Sequence, residues 1–391
     1  MDSILGTKNA SGDDQARLIY DTVHDFAIKN MPRARVRALR SVVPGFDMEL
    51  WTSIAEQGWI GLFVPESLGG LGLGPIETAC VVDALAEHVA PEPYVSVGIF
   101  SASLLQNSAD VELARKELER LITGQSLPVV AWQNDRTGNL DPFDGSARIL
   151  SSDDSGFLVA GTKYHVRPGA GATSLIVTAR FDDGTPAIVL LPCETPGIEV
   201  FSVPMADGTF EGRVNFPRVS VSDGQILARG EAAQRAFAYA YDVAMVMTAV
   251  ELLALVRNMV SMTLEYLCTR RQFDRPIGSF QALQHRAVDL WIQRSLTEAV
   301  VAEALKALAE GVPPSVRSRL AARAKARASD AALHVAREAV QMHGAIGFTD
   351  EYDLSLYVQR ALVLSAWLGN AAQQRRRYAT LDNELVPTGE R

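Results

Sequence analysis

The chain has 391 residues, of which 48% are hydrophobic and 21% charged, with a formal net charge of −9. That length suits two or three domains with a sizeable core, and the net negative charge argues against nucleic acid or an anionic membrane as principal partner, since both are bound through dense Lys/Arg patches. Three scattered cysteines, Cys80, Cys193 and Cys268, give neither a metal-binding CxxC spacing nor a disulfide framework. No metal site is expected.

Met1 to Gly6 has neither a basic nor an apolar stretch of a signal peptide, so a cytoplasmic chain is the expectation. From Asp13 to about Ser126 apolar residues such as Leu18, Ile19, Val23 and Phe26 recur at three- and four-residue spacing and predict helices. A Gly-rich loop, Gly58 to Pro65 and then Gly69-Gly70-Leu71-Gly72, interrupts them; it and Trp59 read as packing elements. Between Leu127 and Leu227 the texture changes to short runs such as Ser174 to Thr178 and Ala187 to Leu191, separated by Asp, Gly and Pro clusters. The simplest reading is a small β-domain of antiparallel strands, of barrel or sandwich type.

From Glu231 the chain is helical again, in four long segments near 231–268, 279–310, 315–344 and 353–382. Short connectors predict an antiparallel four-helix bundle. The run Ala236 to Val256 is apolar enough for a membrane, but it contains Asp242 and Glu251, each costing about 2.5 to 3.5 kcal/mol at mid-bilayer, and is read as a core helix. The expected organisation is α+β and multidomain: a helical domain over 1–126, a β-domain over 127–228 and the bundle over 229–391.

Two motifs lie in the bundle. The first is Arg270-Arg271-Gln272-Phe273-Asp274-Arg275-Pro276-Ile277 followed by Phe280-Gln281; the second is Gln341-Met342-His343-Gly344-Ala345-Ile346-Gly347-Phe348 through Glu351-Tyr352. A guanidinium offers fixed donors to a pyrophosphate, an aromatic ring packs on another ring, Gln side chains supply neutral donors and acceptors, and a glycine turn adds backbone N–H groups. His285 and His343 read as structural or interface residues.

Together the motifs resemble the R-x-Q-F-G-x-P-I-x-x-F-Q and Q-x-x-G-G-x-G-F/Y-x-x-E-Y signatures of acyl-CoA dehydrogenases. Gly161-Thr162-Lys163 and the Gly58 to Gly72 loop extend the resemblance over nearly the whole chain. It implies α,β-dehydrogenation of a CoA thioester with hydride transfer to FAD, and an electron-transfer flavoprotein as reoxidant. It assigns Arg270, Gln272, Phe273, Gln281, Gln341, Gly344 and Ala345 to a half-site that reaches across a subunit interface to the neighbour's FAD. It also implies that the width of the acyl pocket is set where the first bundle helix packs on the β-domain.

Removal of the α-proton needs a positioned carboxylate. Most family members carry a Glu in a Y-E-G-T-like string after the second motif, which corresponds here to Trp367-Leu368-Gly369-Asn370. A minority carry it in an L-D-x-x-R string of the first bundle helix, which corresponds to Tyr241-Asp242-Val243-Ala244-Met245. The two base positions are therefore Leu368 and Ala244. Asp242 lies about 200° round the helix from Ala244 and Glu251 two turns away, so neither substitutes.

The β-domain departs as well. Ala131 to Asp141 stands where the family has a T-E-P-x-x-G-S-D string, and Tyr164-His165-Val166-Arg167-Pro168-Gly169 stands where K-x-W-I-T-N-G runs. Asp141 near a pyrophosphate repels it, and His165 and Arg167 replace residues that flank the flavin. The chain is thus similar to the non-catalytic subunit expected in the α2β2 actinobacterial dehydrogenases that shorten steroid side chains, completing the FAD site of a homologous partner. The alternatives are a self-sufficient homo-oligomeric dehydrogenase and an acyl-CoA oxidase or flavin monooxygenase of the same fold.

Overall fold

The computed structural model describes residues 12–385 except 41, 109, 146 and 152–155; the side chains of 12, 13 and 383–385 are not part of the description, and the Met1 to Gly6 segment lies outside it. The chain forms two compact units, each discontinuous in sequence: one takes 1–36, 75–90 and 245–391, the other 37–74 and 91–244.

The helical unit contains α1 (Gly12–Asn30), α4 (Pro75–Glu87), most of the 40-residue α7 (Gly230–Thr269), α8 (Gln281–Ala309), α9 (Pro314–His343), α10 (Leu354–Ala366) and α11 (Ala371–Leu385). Pro314 starts α9, where a missing N–H costs nothing, and Gly344 with φ 68° ends it. The apolar window of α7 is long enough to cross a membrane, yet 89% of it is buried in the fold. From Met245 to Val256 every residue is buried, as expected of a helix surrounded by others. Two of its charged residues are paired: Glu251 lies 2.7 Å from Arg360 of α10, and Arg257 bonds Asp83 of α4.

The fourth predicted helix is two. The chain breaks at Trp367–Asn370, where Leu368 and Gly369 take left-handed φ values of 57° and 87°. A buried side chain holds the break: Lys325 Nζ donates to the carbonyls of Ser365 (3.2 Å) and Gly369 (3.1 Å) and to Ser329 Oγ (2.8 Å). Gln374 Nε2 donates to the Leu368 carbonyl at 2.5 Å.

The second unit holds an eight-stranded sheet in the order β6-β7-β3-β2-β4-β5-β8, with β1 paired to β4. The strands are β1 (Pro128–Ala131), β2 (Ala147–Ser151), β3 (Phe157–Val166), β4 (Ser174–Phe181), β5 (Pro186–Pro192), β6 (Glu199–Pro204), β7 (Phe210–Val221) and β8 (Ile226–Arg229). The sheet is mixed and not purely antiparallel, because β1–β4 and β2–β4 pair in parallel. The Val/Ile/Leu runs of β4 and β5 are buried along their length, as strands covered on both faces are. Helices α2 (Arg33–Leu39), α3 (Met48–Glu56), α5 (Phe100–Gln106) and α6 (Glu112–Ile122) complete the described α-helices; α2 straddles the division and the other three belong to this unit. Asp47 caps α3 through hydrogen bonds from the Glu49 and Leu50 amides. The Gly58 to Gly72 loop packs on itself: a Cβ on Gly70 would meet the Val64 carbonyl oxygen at 2.1 Å.

Candidate functional site: an exposed half-site and an occupied flavin position

Immediately after α7 the chain folds back in a hairpin of β9 (Arg271–Gln272) and β10 (Arg275–Pro276). Phe273 and Asp274 fill its two central positions at φ 51° and 62°, the paired left-handed geometry that a two-residue turn of type I′ requires. Arg271 donates to the Asp274 carbonyl at 2.6 Å, and the Ile277 amide returns to the Arg270 carbonyl at 2.8 Å. Arg275 lies 4.1 Å over the ring of Phe280.

The hairpin is therefore tied down while its tip stands out. Phe273 is 85% exposed, and Arg270, Gln272 and Gln281 at the start of α8 are exposed too. Gln341, Gly344 and Ala345 are also exposed, the latter two in a 3-10 turn over Gly344–Phe348. The two segments share one end of the helical unit: Tyr266, whose carbonyl takes the Arg270 N–H, stacks on His343 at 4.5 Å between ring centroids.

His343 is structural, as its chemistry shows. Its Nδ1 contacts the Ala339 carbonyl at 2.8 Å and its Nε2 meets the Tyr352 hydroxyl at 3.2 Å, an arrangement satisfied by the neutral ring with Nδ1 as donor. Burial lowers its pKa in agreement. His285 is exposed on α8 and touches none of the half-site groups in the contacts described.

Neither base position carries a carboxylate. Leu368 and Ala244 are both fully buried, and Glu251, the acid nearest in register on the helical side of α7, is held by Arg360. Asp242 is buried as well, on the other side of the helix from Ala244.

The β-domain residues that the resemblance sets beside the chain's own flavin are engaged in internal bonds. His165, at φ 52°, places Nδ1 2.7 Å from Glu211, and that hydrogen bond raises its pKa. Arg167 donates to Thr209 Oγ1 at 2.9 Å and lies 3.8 Å from Asp207, with all three residues buried. Asp135 accepts from the amides of Thr137 and Gly138, and Asp141 from the amide of Phe143. Lys163, fully buried, donates to the Trp132 carbonyl (3.2 Å), Asn134 Oδ1 (2.5 Å) and Thr178 Oγ1 (3.0 Å), and burial lowers its pKa to about 7.

A dinucleotide fits the first set and not the second. Exposed guanidinium, carboxamide and backbone donors around an exposed ring suit a pyrophosphate and a flavin or adenine face. In the second set the basic groups are already engaged, His165 by Glu211 and Arg167 by Thr209 and Asp207, so none is left open to a pyrophosphate in the contacts described.

One feature of the sequence acquires its meaning only from exposure. Val288, Trp291, Ile292 and Leu296 follow helical spacing on α8, and they stand 54%, 56%, 40% and 53% exposed. The spacing was readable; that the stripe faces outward was not.

Comparison with known proteins agrees with the motifs. The family description "Acyl-CoA dehydrogenase, N-terminal domain" matches residues 13–125, and "Acyl-CoA dehydrogenase, C-terminal domain" matches 234–380. The chain is 28% identical over 351 residues to acyl-CoA dehydrogenase IpdE2 of Mycobacterium tuberculosis, covering 89% of this chain and 91% of the relative. It is 29% identical over 358 residues to FadE27 of the same organism, covering 90% and 92%. Among solved structures it resembles a chain of the ChsE4-ChsE5 complex from Mycobacterium tuberculosis at 25% identity and TM-score 0.84, covering 98% of this chain and 99% of that one. It also resembles a chain of a variant of the Tcur3481-Tcur3483 steroid ACAD at 26% identity and TM-score 0.84, covering 95% and 98%. With its helical, β-sheet and helical regions in that order, this chain belongs to the acyl-CoA dehydrogenase family, whose members are FAD-dependent oxidoreductases.

Proposed function

We propose that this chain is the non-catalytic subunit of a heteromeric acyl-CoA dehydrogenase, completing in trans the FAD site of a homologous partner. The observation that carries the reading is the contrast just described: the groups that would serve a neighbour's cofactor are exposed, while those that would serve the chain's own are bonded to one another. The apolar stripe of α8 supports it, because Gln281 of the half-site begins the same helix, and a partner whose cofactor meets Gln281 covers that face.

FAD held there would supply the acceptor for the hydride that leaves the β-carbon of the thioester. Toward it, Arg270 offers paired donors to a phosphate, Gln272, Gln281 and Gln341 offer carboxamides, Gly344 and Ala345 offer backbone N–H groups, and Phe273 offers a ring face. The α-proton is taken by a carboxylate of the partner, since Leu368 and Ala244 cannot take it. Steroid-derived acyl groups are the substrate class favoured by similarity to a structure described as a steroid ACAD. An electron-transfer flavoprotein as reoxidant and a cytoplasmic location, which suits three free thiols, belong to the same reading.

The test is the visible spectrum of the purified chain. A colourless protein that gains stoichiometric flavin only when co-expressed with a homologous subunit supports the proposal. Flavin absorbance of the chain alone that bleaches with acyl-CoA sinks it in favour of a self-sufficient enzyme.

A further inference from the structure

Five aromatic side chains interlock inside the β-sheet unit. Trp132, one residue past β1, meets Tyr241 of α7 edge-on at 5.3 Å between ring centroids and Phe237 at 5.7 Å. Phe237 stacks on Tyr241 at 5.7 Å and takes the edges of Phe100 of α5 and of Phe143, each at 6.0 Å. Phe100 in turn lies 6.5 Å from Tyr241. All five rings are 2–5% exposed. These are contact distances for edge-to-face and stacked rings, and an alkyl chain cannot pass between them without displacing one.

Their location gives the cluster its meaning. Tyr241 sits one helical turn before Ala244, and Ala233, Ala236, Ala240 and Ala244 on the same stretch of α7 are buried and small. Trp132 is held through its carbonyl, which accepts from the buried Lys163 Nζ at 3.2 Å. We propose that Phe100, Trp132, Phe143, Phe237 and Tyr241 form a plug in the space where this subunit's own acyl group would lie, closing it to acyl-CoA thioesters. The proposal rests on the partner-completing reading above. It adds to that reading a second lesion: the chain lacks a base, and it also lacks room for the substrate's tail.

The experiment titrates the full-length chain calorimetrically with decanoyl-CoA and, as a headgroup control, with CoA. The wild type is expected to show no preference between them. Phe237→Ala removes the ring that touches the other four, and it is expected to bind decanoyl-CoA at least ten-fold more tightly than CoA. Thermal stabilisation of that variant by benzene reports independently that the vacated space exists. Phe100→Leu, a milder change, serves if Phe237→Ala does not fold and should give a smaller preference of the same sign. A wild type that already prefers decanoyl-CoA overturns the plug. So does a folded variant that is stabilised by benzene yet gains no preference for the acylated ligand. Failure of the partner-completing reading is seen separately, as flavin absorbance of the wild-type chain alone.

Discussion

The Arg270 hairpin and the end of β3, the two segments we propose as facing a flavin on either side of a subunit interface, use their side chains in opposite ways. Around the hairpin the backbone is braced by Arg271, Ile277 and the Tyr266–His343 stack, while the side chains stay exposed. At the end of β3 the side chains themselves are the bracing: His165 is bonded to Glu211 and Arg167 to Thr209. A ligand site keeps its donors unsatisfied until the ligand arrives, which costs stability. A position with no ligand to serve can place the same residue types in bonds of its own. Substitution should therefore separate the two regions, lowering cofactor occupancy at one and fold stability at the other.

The largest effect is expected away from both, at the buried pair of Arg360 and Glu251. Arg360→Leu leaves a carboxylate buried without its guanidinium, and about 3 to 5 kcal/mol of stability should be lost. Chemical denaturation of the purified chain measures it. A loss below about 1 kcal/mol would mean that Glu251 is not tied down and is open to consideration as a base.

At the half-site the expectation reverses. Arg270→Ala removes charge-assisted hydrogen bonds worth about 1.5 to 3 kcal/mol, so the complex should bind FAD about 10- to 100-fold more weakly. Because Arg270 is exposed, the melting of the chain should be unchanged. Unchanged flavin occupancy would remove the cofactor assignment, and a large fall in stability would show that Arg270 is a bracing residue like those at β3.

Next in size is Lys325, at the break between α10 and α11. Lys325→Met leaves the Ser365 and Gly369 carbonyls without their donor, a cost of about 1 to 3 kcal/mol. The effect has a pH signature. Burial lowers the Lys325 pKa from 10.5 to about 7, so between pH 7 and 10.5 the unfolded chain binds the proton that the folded chain has released. Wild-type stability gains from this group as pH rises through that window, and the gap between wild type and Lys325→Met should widen from about pH 7 to about pH 10. A gap independent of pH would place the folded-state pKa close to its ordinary value.

The fold was readable beforehand, for identifiable reasons. The succession of helical, β and helical regions follows from local periodicity, and the proposed half-site was drawn from two contiguous motifs, whose exposure the sequence did not give. The features that were not readable depend on distant partners. The break at Trp367–Asn370 needs Lys325, some forty residues earlier, to hold the loop. Parallel pairing of β1 with β4 joins Pro128 to Ser174 across two intervening strands. The aromatic cluster gathers residues from Phe100 to Tyr241 that no window contains together. His165 and Arg167 could be seen as unsuited to a flavin, but their engagement with Glu211 and Thr209 of the neighbouring chain segment could not.

The smallest expected effect tests the β3 side of the comparison directly. Hydrogen bonding to Glu211 raises the His165 pKa above its ordinary value of 6.5. A raised pKa means that the folded state holds the proton more tightly than the unfolded state, so the stabilisation is complete below about pH 6.5 and is lost as pH rises through the folded-state value. The two side chains are 34% and 23% exposed, so solvent screening keeps the contribution small, about 1 kcal/mol or less. Glu211→Gln should therefore lower the melting temperature at about pH 6 and have little effect at about pH 9, opposite in sign to the Lys325 dependence. If the variant instead melts alike at both pH values, the ion pair is not what holds the end of β3. His165 would then be available to a ligand in the way that Arg270 is.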